Sequence, residues 1–254
     1  MPISSDDPDF VNALARGLAV ITAFGQQSEQ MTLTEVAEKL GLSRGTARRF
    51  LLTLEALGYL RSDGKSFRLT PKTLDLGYAY LSSLPLWKTA QPIMQEVVNE
   101  IDESCSLGVL DGRDVVYIAR VPPKHSTFIH VPPGTRMPAH LNAMGQVLLS
   151  GLSSADLDRY FSSAKLNVFT EYTLVEPEAI RRKIERVAKD GYAISDQQLE
   201  IGMRSIAVPI RSNSGQIEAS INATAGGNRA SRDDLINRFL PVLRRAASQL
   251  AHAF

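Results

Sequence analysis

The chain has very little of what disulfide-bonded, metal-binding or membrane proteins need. It contains one cysteine among 254 residues, so neither an internal disulfide nor a cysteine-based zinc site can form within one chain. Its apolar runs fall short of the roughly 18 residues of a membrane span. Its polar, acidic start, MPISSDDPDF, is unlike a secretory signal. These absences predict a reducing, cytoplasmic location with no membrane partner.

Motifs for catalysis and cofactor binding are also missing. The sequence has no Gly-x-Ser-x-Gly, no Gly-rich phosphate loop and no recognisable pair of carboxylates. Cys105 could be a nucleophile, but it begins an apolar strand with no histidine nearby, which favours a buried structural thiol. The histidines lack the spacing of metal ligands, and a metal held by His125, His130 and His140 is the one alternative. The sequence therefore predicts no catalytic residue, no metal and no cofactor.

Basic charge is concentrated in one stretch of a nearly neutral chain. The formal net charge is +1, from 28 basic and 27 acidic residues. Residues 43–68 contain six Arg or Lys side chains but only two acids, Glu55 and Asp63. A local excess of this kind suits contact with the phosphates of a nucleic acid.

Residues 32–58 predict two short helices joined by a tight turn. Thr32 and Glu35 form a capping-box pattern at the start of the first helix. Gly41 can end that helix, and Ser43 can cap the next. The second helix has apolar residues at helical spacing, namely Ala47, Phe50, Leu51, Leu54 and Leu57. This arrangement is typical of a helix-turn-helix whose second helix enters the DNA major groove.

The face opposite that apolar stripe carries the predicted DNA contacts. Arg can bond guanine bidentately, small hydroxyl residues reach phosphates or base edges, and Gly allows close approach. A hairpin over 59–69, turned at Asp63-Gly64, follows as a wing. The predicted DNA-binding residues are Thr32, Ser43, Arg44, Gly45, Thr46, Arg48, Arg49 and, at the wing tip, Lys65. The alternative is that these arginines form an ordinary solvated helix face.

Two further helices flank this motif. An amphipathic helix over 9–25 is predicted to pack behind the helix-turn-helix. A helix over 71–84 carries more apolar surface than a lone linker can hide, and Pro85 ends it. This helix either packs on its own wing or pairs with a second copy of the chain. Pairing is favoured because a dimer reads two half-sites.

From residue 87 onward the pattern predicts an α+β domain with a mostly antiparallel sheet. Helices are predicted over 88–103, 143–151, 153–163 and 177–190, and from 231 to the end with a boundary or kink at Pro241. Hairpins are predicted from strands 105–110 with 114–121 and 204–211 with 216–224, and short strands at 126–131 and 192–194.

A loop and the helix after it, at 132–146, predict a pocket for an anion. The loop carries Arg136, His140 and Asn142, and the helix opens with Ala143 and Met144. Free N–H groups at a helix N-terminus favour an anion, and the apolar helix beside them suits a ring or chain. A carboxylate is therefore the predicted ligand group. The alternative is that Arg136 and His140 are surface loop residues.

Several long stretches together resemble the IclR family of transcriptional regulators. They include LTEVAEKLGLSRGTARRFLLTLEALGYL at 33–60, FRLTPKTLDLGYAYLSSLPLWKTAQP at 67–92, ESCSLGVLDGRDVVYIARV at 103–121 and DGYAISDQQLEIGMRSIAVPI at 190–210. The resemblance implies an α+β protein with an N-terminal winged helix-turn-helix at 9–70, a linker helix at 71–86 and a C-terminal GAF-like effector domain at 87–254. Its closest branch is the one that controls aromatic-acid catabolism (the PcaR, PcaU and PobR types).

The same resemblance implies a ligand-responsive regulator and names its partners. These are double-stranded operator DNA, a small aromatic or dicarboxylic acid effector, a second copy of the chain with pairing of dimers left open, and RNA polymerase. Beyond the loop already described, the implied effector contacts are Ser195, Met203, Ser205, Asn222 and Thr224. Family members commonly have Ala-Thr or Ala-Ser after the loop histidine, whereas this chain has His140-Leu141-Asn142, which leaves room for a different effector. The competing class is an enzyme with a borrowed sensory domain, or a sensor whose winged helix binds protein.

Overall fold

The computed structural model describes residues 4, 6–25, 28–124 and 131–253. The chain divides into two units, Met1–Ser83 and Leu84–Phe254. Separate clusters of buried apolar side chains form the core of each unit.

The first unit is a winged helix-turn-helix. Its elements are α1 (Asn12–Ala23), β1 (Met31–Thr32), α2 (Leu33–Lys39), α3 (Arg44–Ala56), β2 (Leu60–Ser62) and β3 (Ser66–Leu69). The strands pair antiparallel in the order β1-β3-β2. Val20 of α1, Val36 of α2 and Leu51 of α3 are fully buried in one cluster, which fixes α3 against the other two helices.

The two helices of the motif begin at the predicted residues. The Thr32 hydroxyl accepts a hydrogen bond from the Glu35 N–H, and the Glu35 carboxylate accepts one from the Thr32 N–H at 2.7 Å. Ser43 Oγ accepts from the Thr46 N–H at 3.2 Å. Gly41 adopts a left-handed φ of 62° between the two helices, a conformation that Gly takes with little strain.

The segment after the wing is less regular than predicted. A 3-10 turn at Pro71–Thr73 precedes α4 (Leu74–Ser83), in place of one helix over 71–84. No residue of α4 is buried, and Leu74 and Tyr78 are 72% and 66% exposed. Packing on its own wing therefore does not cover the apolar surface of α4.

The second unit is a six-stranded antiparallel sheet between helices. Its elements are α5 (Trp87–Ile101), β4 (Ser104–Asp111), β5 (Asp114–Val121), β6 (Arg136–Pro138), α6 (Ala143–Leu149), α7 (Ser154–Ser163), α8 (Pro177–Asp190), β7 (Ala193–Asp196), β8 (Met203–Arg211), β9 (Ile217–Gly226), α9 (Arg232–Asp234) and α10 (Leu240–Ala251). The strand order is β6-β5-β4-β9-β8-β7. The fold class is thus the predicted α+β arrangement.

Helices cover both faces of this sheet. Ala207 of β8 packs in the cluster that contains Val147 of α6 and Val187 of α8. The next residue, Val208, lies in a cavity with Ala247 of α10. Because neighbouring residues of a strand point to opposite faces, α6 and α10 lie on opposite sides of the sheet.

The last helix is interrupted just before the proline that predicted a break. Ser231 begins it with a capping box, and α9 then passes through a π-helical turn at Leu235–Phe239 into α10. Pro241 stands in the first turn of α10. Proline lacks an N–H and crowds the preceding turn, which accounts for the irregularity on its N-terminal side.

Two short strands were not predicted. β1 and β6 have two and three residues, too few to show an alternation of apolar and polar side chains. β6 falls within the stretch predicted as a loop. The predicted strand over 126–131 lies outside the described residues except at Val131.

Candidate DNA-binding and effector-binding sites

The exposed face of α3 carries most of the predicted DNA contacts. Arg44, Arg48 and Arg49 are exposed, and within the described part of the chain they have neither an ion pair nor a side-chain hydrogen bond. Gly45 stands four residues before Arg49 on the same face, and a Cβ there would meet nothing within 4 Å. This face therefore presents exposed positive charge, with no side chain at Gly45 to keep another molecule away from the helix backbone.

The acids near these cations are bonded to the wing. The Glu55 carboxylate accepts a hydrogen bond from the Ser62 N–H at 3.1 Å. Asp63 accepts from the N–H groups of Ser66 and Lys65 at 2.7 and 2.9 Å, which lowers the pKa of Asp63 to about 2. Both acids of the 43–68 stretch thus serve the hairpin. Its six cations have no acidic partner among the residues that the structure covers.

Three predicted DNA contacts also have a structural role. The Thr32 hydroxyl caps α2, and the Ser43 hydroxyl caps α3. Ser43 Oγ also donates to the Thr46 hydroxyl at 2.9 Å. These hydroxyls orient the first turns of both helices, and their contact with DNA stays a prediction.

A small cavity lies in the second unit, on one face of the sheet. Its volume is about 80 Å³. Polar lining comes from β5, β7, β8 and β9 and from the start of α6, and apolar side chains close it. The lining residues are Tyr117, Arg120, Val131, Met137, Asn142, Ser195, Gln198, Leu199, Glu200, Met203, Arg204, Ser205 and Thr224.

Three predicted effector contacts meet here as one cross-strand row. Ser195 pairs with Ser205, and Ser205 pairs with Thr224, in adjacent antiparallel strands. Directly opposite residues share a face of the sheet, so the three hydroxyls line the cavity together. Met203 and Asn142 complete the predicted residues that reach it.

The cation of the cavity is Arg120, which the sequence did not predict. Its side chain is half-buried and makes no ion pair or hydrogen bond within the described ranges. Burial lowers the pKa of its guanidinium, with the Tyr117 hydroxyl and the Cys105 thiol acting in the opposite sense. The second arginine, Arg204, already donates to Asp196 at 2.8 Å and to two backbone carbonyls.

A β-bulge brings Arg120 to the cavity. Gly108 pairs with Tyr117 and Leu107 pairs with Ala119, which leaves Ile118 as an extra residue on β5. In a regular strand, Tyr117 and Arg120 would point to opposite faces. The extra residue puts both on the cavity side.

Two amides of the lining have unused hydrogen-bonding atoms. Asn142 Oδ1 caps α6 by accepting from the Gly145 N–H at 2.8 Å, while its Nδ2 is buried without a partner in the described residues. Gln198 Oε1 is buried in the same condition. An unsatisfied buried polar atom costs roughly 1–3 kcal/mol, so both atoms favour a bound polar ligand.

The structure corrects the prediction for Arg136. This side chain lies outside the cavity, on the edge strand β6. Its guanidinium binds Asp111 at 2.8 Å and Asp114 at 3.2 Å, and all three side chains are at least one-third exposed. The two aspartates of the β4–β5 hairpin hold it there, away from the residues that line the cavity.

His140 is also displaced from its predicted place. It is 2% exposed, and its Nδ1 is 2.8 Å from the Tyr160 hydroxyl, which also accepts from the His140 N–H. The His140 ring lies in a different cavity, with Tyr160 and Arg113, from the one that contains Arg120. It is neither a surface loop residue nor part of the Arg120 cavity.

The remaining predicted contacts, Ala143, Met144 and Asn222, do not line the cavity. Ala143 and Met144 are fully buried in the core beneath α6 and are absent from the lining. Asn222 Oδ1 accepts from the Ser106 N–H, and its Nδ2 donates to the Thr224 hydroxyl at 3.2 Å. Asn222 therefore orients a lining residue rather than reaching the cavity itself.

Neither a metal site nor a membrane-spanning helix is found in the part of the chain that the structure describes. No group of three His, Cys, Asp or Glu side chains there is arranged to bind a metal. Of the proposed histidine set, His125 and His130 lie outside the described residues. No helix in the described ranges is long and apolar enough to cross a bilayer.

A winged helix-turn-helix followed in the chain by a domain with a polar-lined cavity is the arrangement of a ligand-responsive transcriptional regulator. Comparison with known proteins agrees. Residues 13–64 match the IclR helix-turn-helix domain, and residues 78–252 match the C-terminal domain of the bacterial transcriptional regulator IclR. The chain belongs to the IclR family.

Relatives from several bacteria extend this similarity over nearly the whole chain. The Pca regulon regulatory protein of Pseudomonas putida is 40% identical, with 97% of this chain and 85% of that protein covered. The p-hydroxybenzoate hydroxylase transcriptional activator of Acinetobacter baylyi is 35% identical, with coverages of 98% and 95%. A solved IclR homolog from Microbacterium hydrocarbonoxydans, in complex with 4-hydroxybenzoate, is 25% identical with a TM-score of 0.84, covering 95% of this chain and 98% of that one. These similarities confirm the predicted family and its aromatic-catabolism branch, and a regulatory rather than catalytic function.

Proposed function

We propose that the Arg120 cavity binds a small aromatic monocarboxylate, and that this ligand controls the affinity of the regulator for operator DNA. The supporting observation is a half-buried guanidinium in a small cavity, with no acidic partner among the described residues. A carboxylate would pair with this guanidinium, since Arg matches the geometry of two carboxylate oxygens. The bound 4-hydroxybenzoate of the Microbacterium homolog has the same chemistry.

The rest of the lining favours one carboxylate on an aromatic ring. Tyr117, Met137 and Met203 offer apolar and aromatic surface. Gln198 Oε1 can accept from a ring hydroxyl. Among the described lining residues, the other arginine, Arg204, is bonded to Asp196, and Glu200 would repel a second carboxylate. A dicarboxylate such as β-ketoadipate is therefore the weaker candidate.

The test is a thermal-unfolding screen of the full chain against 4-hydroxybenzoate, protocatechuate, benzoate and β-ketoadipate. A ligand at about 100 times its Kd stabilises the folded state by roughly 2.7 kcal/mol. We expect the aromatic monocarboxylates to raise the melting temperature and β-ketoadipate to have little effect. A shift with β-ketoadipate alone would contradict the proposal.

Substitution of Arg120 locates the ligand. Loss of a charged hydrogen-bond pair costs roughly 1.5–3 kcal/mol, so Arg120→Ala should weaken effector binding about 10- to 100-fold by calorimetry. Arg136→Ala removes an arginine from the same sheet and should leave the affinity within twofold. Equal losses in the two variants would place the ligand elsewhere.

The first unit supports DNA binding by the α3 face and the wing. The open arginines Arg44, Arg48 and Arg49 provide candidates for base contacts, and Lys65 at the wing tip suits a phosphate. Effector and operator are coupled only if the effector binds one arrangement of the protein more tightly than another. RNA polymerase remains a candidate partner of a regulator that acts at a promoter.

A homodimer is the proposed assembly, and its surface lies in the first unit. An apolar groove of about 660 Å³ runs between α1, α3 and α4. Thr46 and Arg49 of the predicted DNA face also line it, so the proposed partner covers its apolar side chains and leaves these two to DNA. Leu14, Leu18 and Leu76 line it and are 62%, 48% and 48% exposed. An apolar surface this continuous favours a covering partner, and a second copy would place two recognition helices on two half-sites.

A further inference from the structure

A second cavity of the effector domain lies on the other side of β7. Its volume is about 460 Å³. Ser195 of β7 points into the Arg120 cavity, whereas its neighbours Ile194 and Asp196 line the second one. This alternation follows from the strand, whose successive side chains face opposite ways. The strand thus lies between the two cavities, and Gln198, just beyond the strand, lines both.

Four cations line this second cavity. They are Arg182, Lys183 and Arg186 of α8, and Arg232 of α9. Within the described ranges, none of the four has an ion pair or a side-chain hydrogen bond. Two acids, Asp190 and Asp196, also line the cavity, but Asp196 is already bonded to Arg204 at 2.8 Å.

The spacing of these cations is costly for the helix. Arg182 and Arg186 are four residues apart, and like charges at that spacing destabilise an isolated helix by a few tenths of a kcal/mol. By contrast, Arg181 of the same helix pairs with Asp158 at 2.6 Å. Arg181 is therefore paired within the fold, whereas Arg182 and Arg186 on the cavity side form no ion pair with the described residues.

Lys183 is disfavoured as a cation mainly by burial and also by a neighbouring charge. It is half-buried, and burial lowers the pKa of its ammonium to about 8, with a further lowering by Arg232 and an opposing effect of Asp196. A bound anion would favour the charged ammonium and offset the repulsion from Arg232.

We propose that this second cavity is a binding site for a small multivalent oxyanion, held by Arg182, Lys183, Arg186 and Arg232. Three guanidinium forks and one ammonium suit a ligand with several charged oxygens, as in a pyrophosphate or a tricarboxylate. None of these four cations lines the Arg120 cavity, and the proposal does not depend on the effector assigned to that cavity.

The test is calorimetric titration of the full chain with sodium pyrophosphate, at an ionic strength held constant with NaCl. We expect saturable binding with one site per chain. The double variant Arg182→Ala/Arg186→Ala should weaken it at least tenfold, and both positions are exposed, so the variant should keep its fold. Lys183→Gln, which removes the half-buried charge, should weaken it in the same direction.

The matched control is Lys189→Ala, which removes a cation from the exposed surface of the same helix outside the cavity. It should leave pyrophosphate binding within twofold. A parallel titration with citrate distinguishes the two ligand sources, because a phosphate-selective site binds pyrophosphate more tightly and a polycarboxylate site binds citrate more tightly.

Two results would overturn the proposal. One is the absence of saturable binding for both anions. The other is an equal loss of binding in the double variant and in Lys189→Ala, which would indicate general charge attraction. If neither anion binds and the double variant instead loses operator affinity, the cluster contacts nucleic acid and the oxyanion site is wrong. Effector binding through Arg120 is measured separately, so failure of one proposal does not affect the other.

Discussion

Gly145 has the tightest surroundings of any described glycine in the effector domain. A Cβ at this position of α6 would lie 2.1 Å from the Ala139 carbonyl oxygen and 2.4 Å from its Cα. Neither is a side-chain atom that can rotate away. Gly145→Ala should therefore destabilise the second unit by about 3 kcal/mol, the upper end of the usual range for overpacked cores.

Urea unfolding followed by the fluorescence of Trp87, the only tryptophan, measures this change. The control is Gly45→Ala, where the added methyl would meet nothing within 4 Å. It should leave the same transition unchanged. A stable Gly145→Ala protein would show that the 139–145 loop can shift.

His140 predicts a particular loss of stability in acid. Burial lowers the pKa of its imidazole below the ordinary value of ~6.5. The unfolded chain then binds a proton more readily than the folded one, so stability falls as the pH drops below about 6.5, by at most about 1.4 kcal/mol per pH unit. Above that range the effect is absent. Urea unfolding of wild type and His140→Gln between pH 5.5 and 7.5 should give curves that converge as the pH falls, and parallel curves would contradict this assignment.

At the residue scale, the family resemblance rather than the strand pattern pointed to the residues that line the cavity. Ser195, Ser205 and Thr224 meet in one row because three strands pair in register. Arg120 was missed because an extra residue at Ile118 reverses the facing that alternation gives. Arg136 lies outside the cavity because it pairs with Asp111 and Asp114, more than 20 residues earlier in the chain, and no local pattern shows that pairing.

The helix caps separate folding from DNA binding. Ser43 caps α3 and Ser153 caps α7 through the same kind of bond, to the N–H group three residues on. Asp is as good a cap as Ser, so Ser43→Asp should keep the free energy of unfolding within about 0.5 kcal/mol. At a phosphate contact its negative charge should lower operator affinity at least tenfold in a gel-shift or anisotropy titration.

Ser153→Asp is the matched control, since it makes the same exchange at the cap of an effector-domain helix. Its operator affinity should equal that of the wild type. If both variants bind the operator normally, Ser43 is a cap only and does not face DNA.

Elements with strong local signals were predicted closely, and those set by distant contacts were not. The capping boxes at Thr32 and Ser231 mark helix starts that the structure confirms. The β4–β5 and β8–β9 hairpins also lie where predicted. β1 exists only because Met31 and Thr32 pair with Phe67 and Ser66, more than 30 residues away, and such pairing leaves no periodicity in a two-residue segment.

The proposed assembly of the whole molecule rests on one apolar surface. Leu76→Glu places a charge in the groove between α1, α3 and α4, where burial by a partner copy would be costly. We expect the dimer dissociation constant to rise at least tenfold, as measured by sedimentation or light scattering. Operator affinity should fall with it, because two half-sites are no longer bound together.

Val168→Glu is the control for added surface charge, since Val168 is 69% exposed in the effector domain. It should leave the mass unchanged. A Leu76→Glu protein with the wild-type mass and wild-type operator affinity would show that this groove is not the interface.

Because Cys105 is fully buried, the rate at which this thiol is labelled reports how often the sheet around it opens. It lies on β4 between β5 and β9, is 0% exposed, and has a pKa raised by burial. A thiol reagent can therefore react only after the sheet has opened. The labelling rate under native conditions measures how often that opening occurs. A ligand that binds only the closed form lowers the labelling rate by a factor of 1 + [L]/Kd. The labelling rate of Cys105 in the unmodified protein therefore measures the fraction of chains with effector bound.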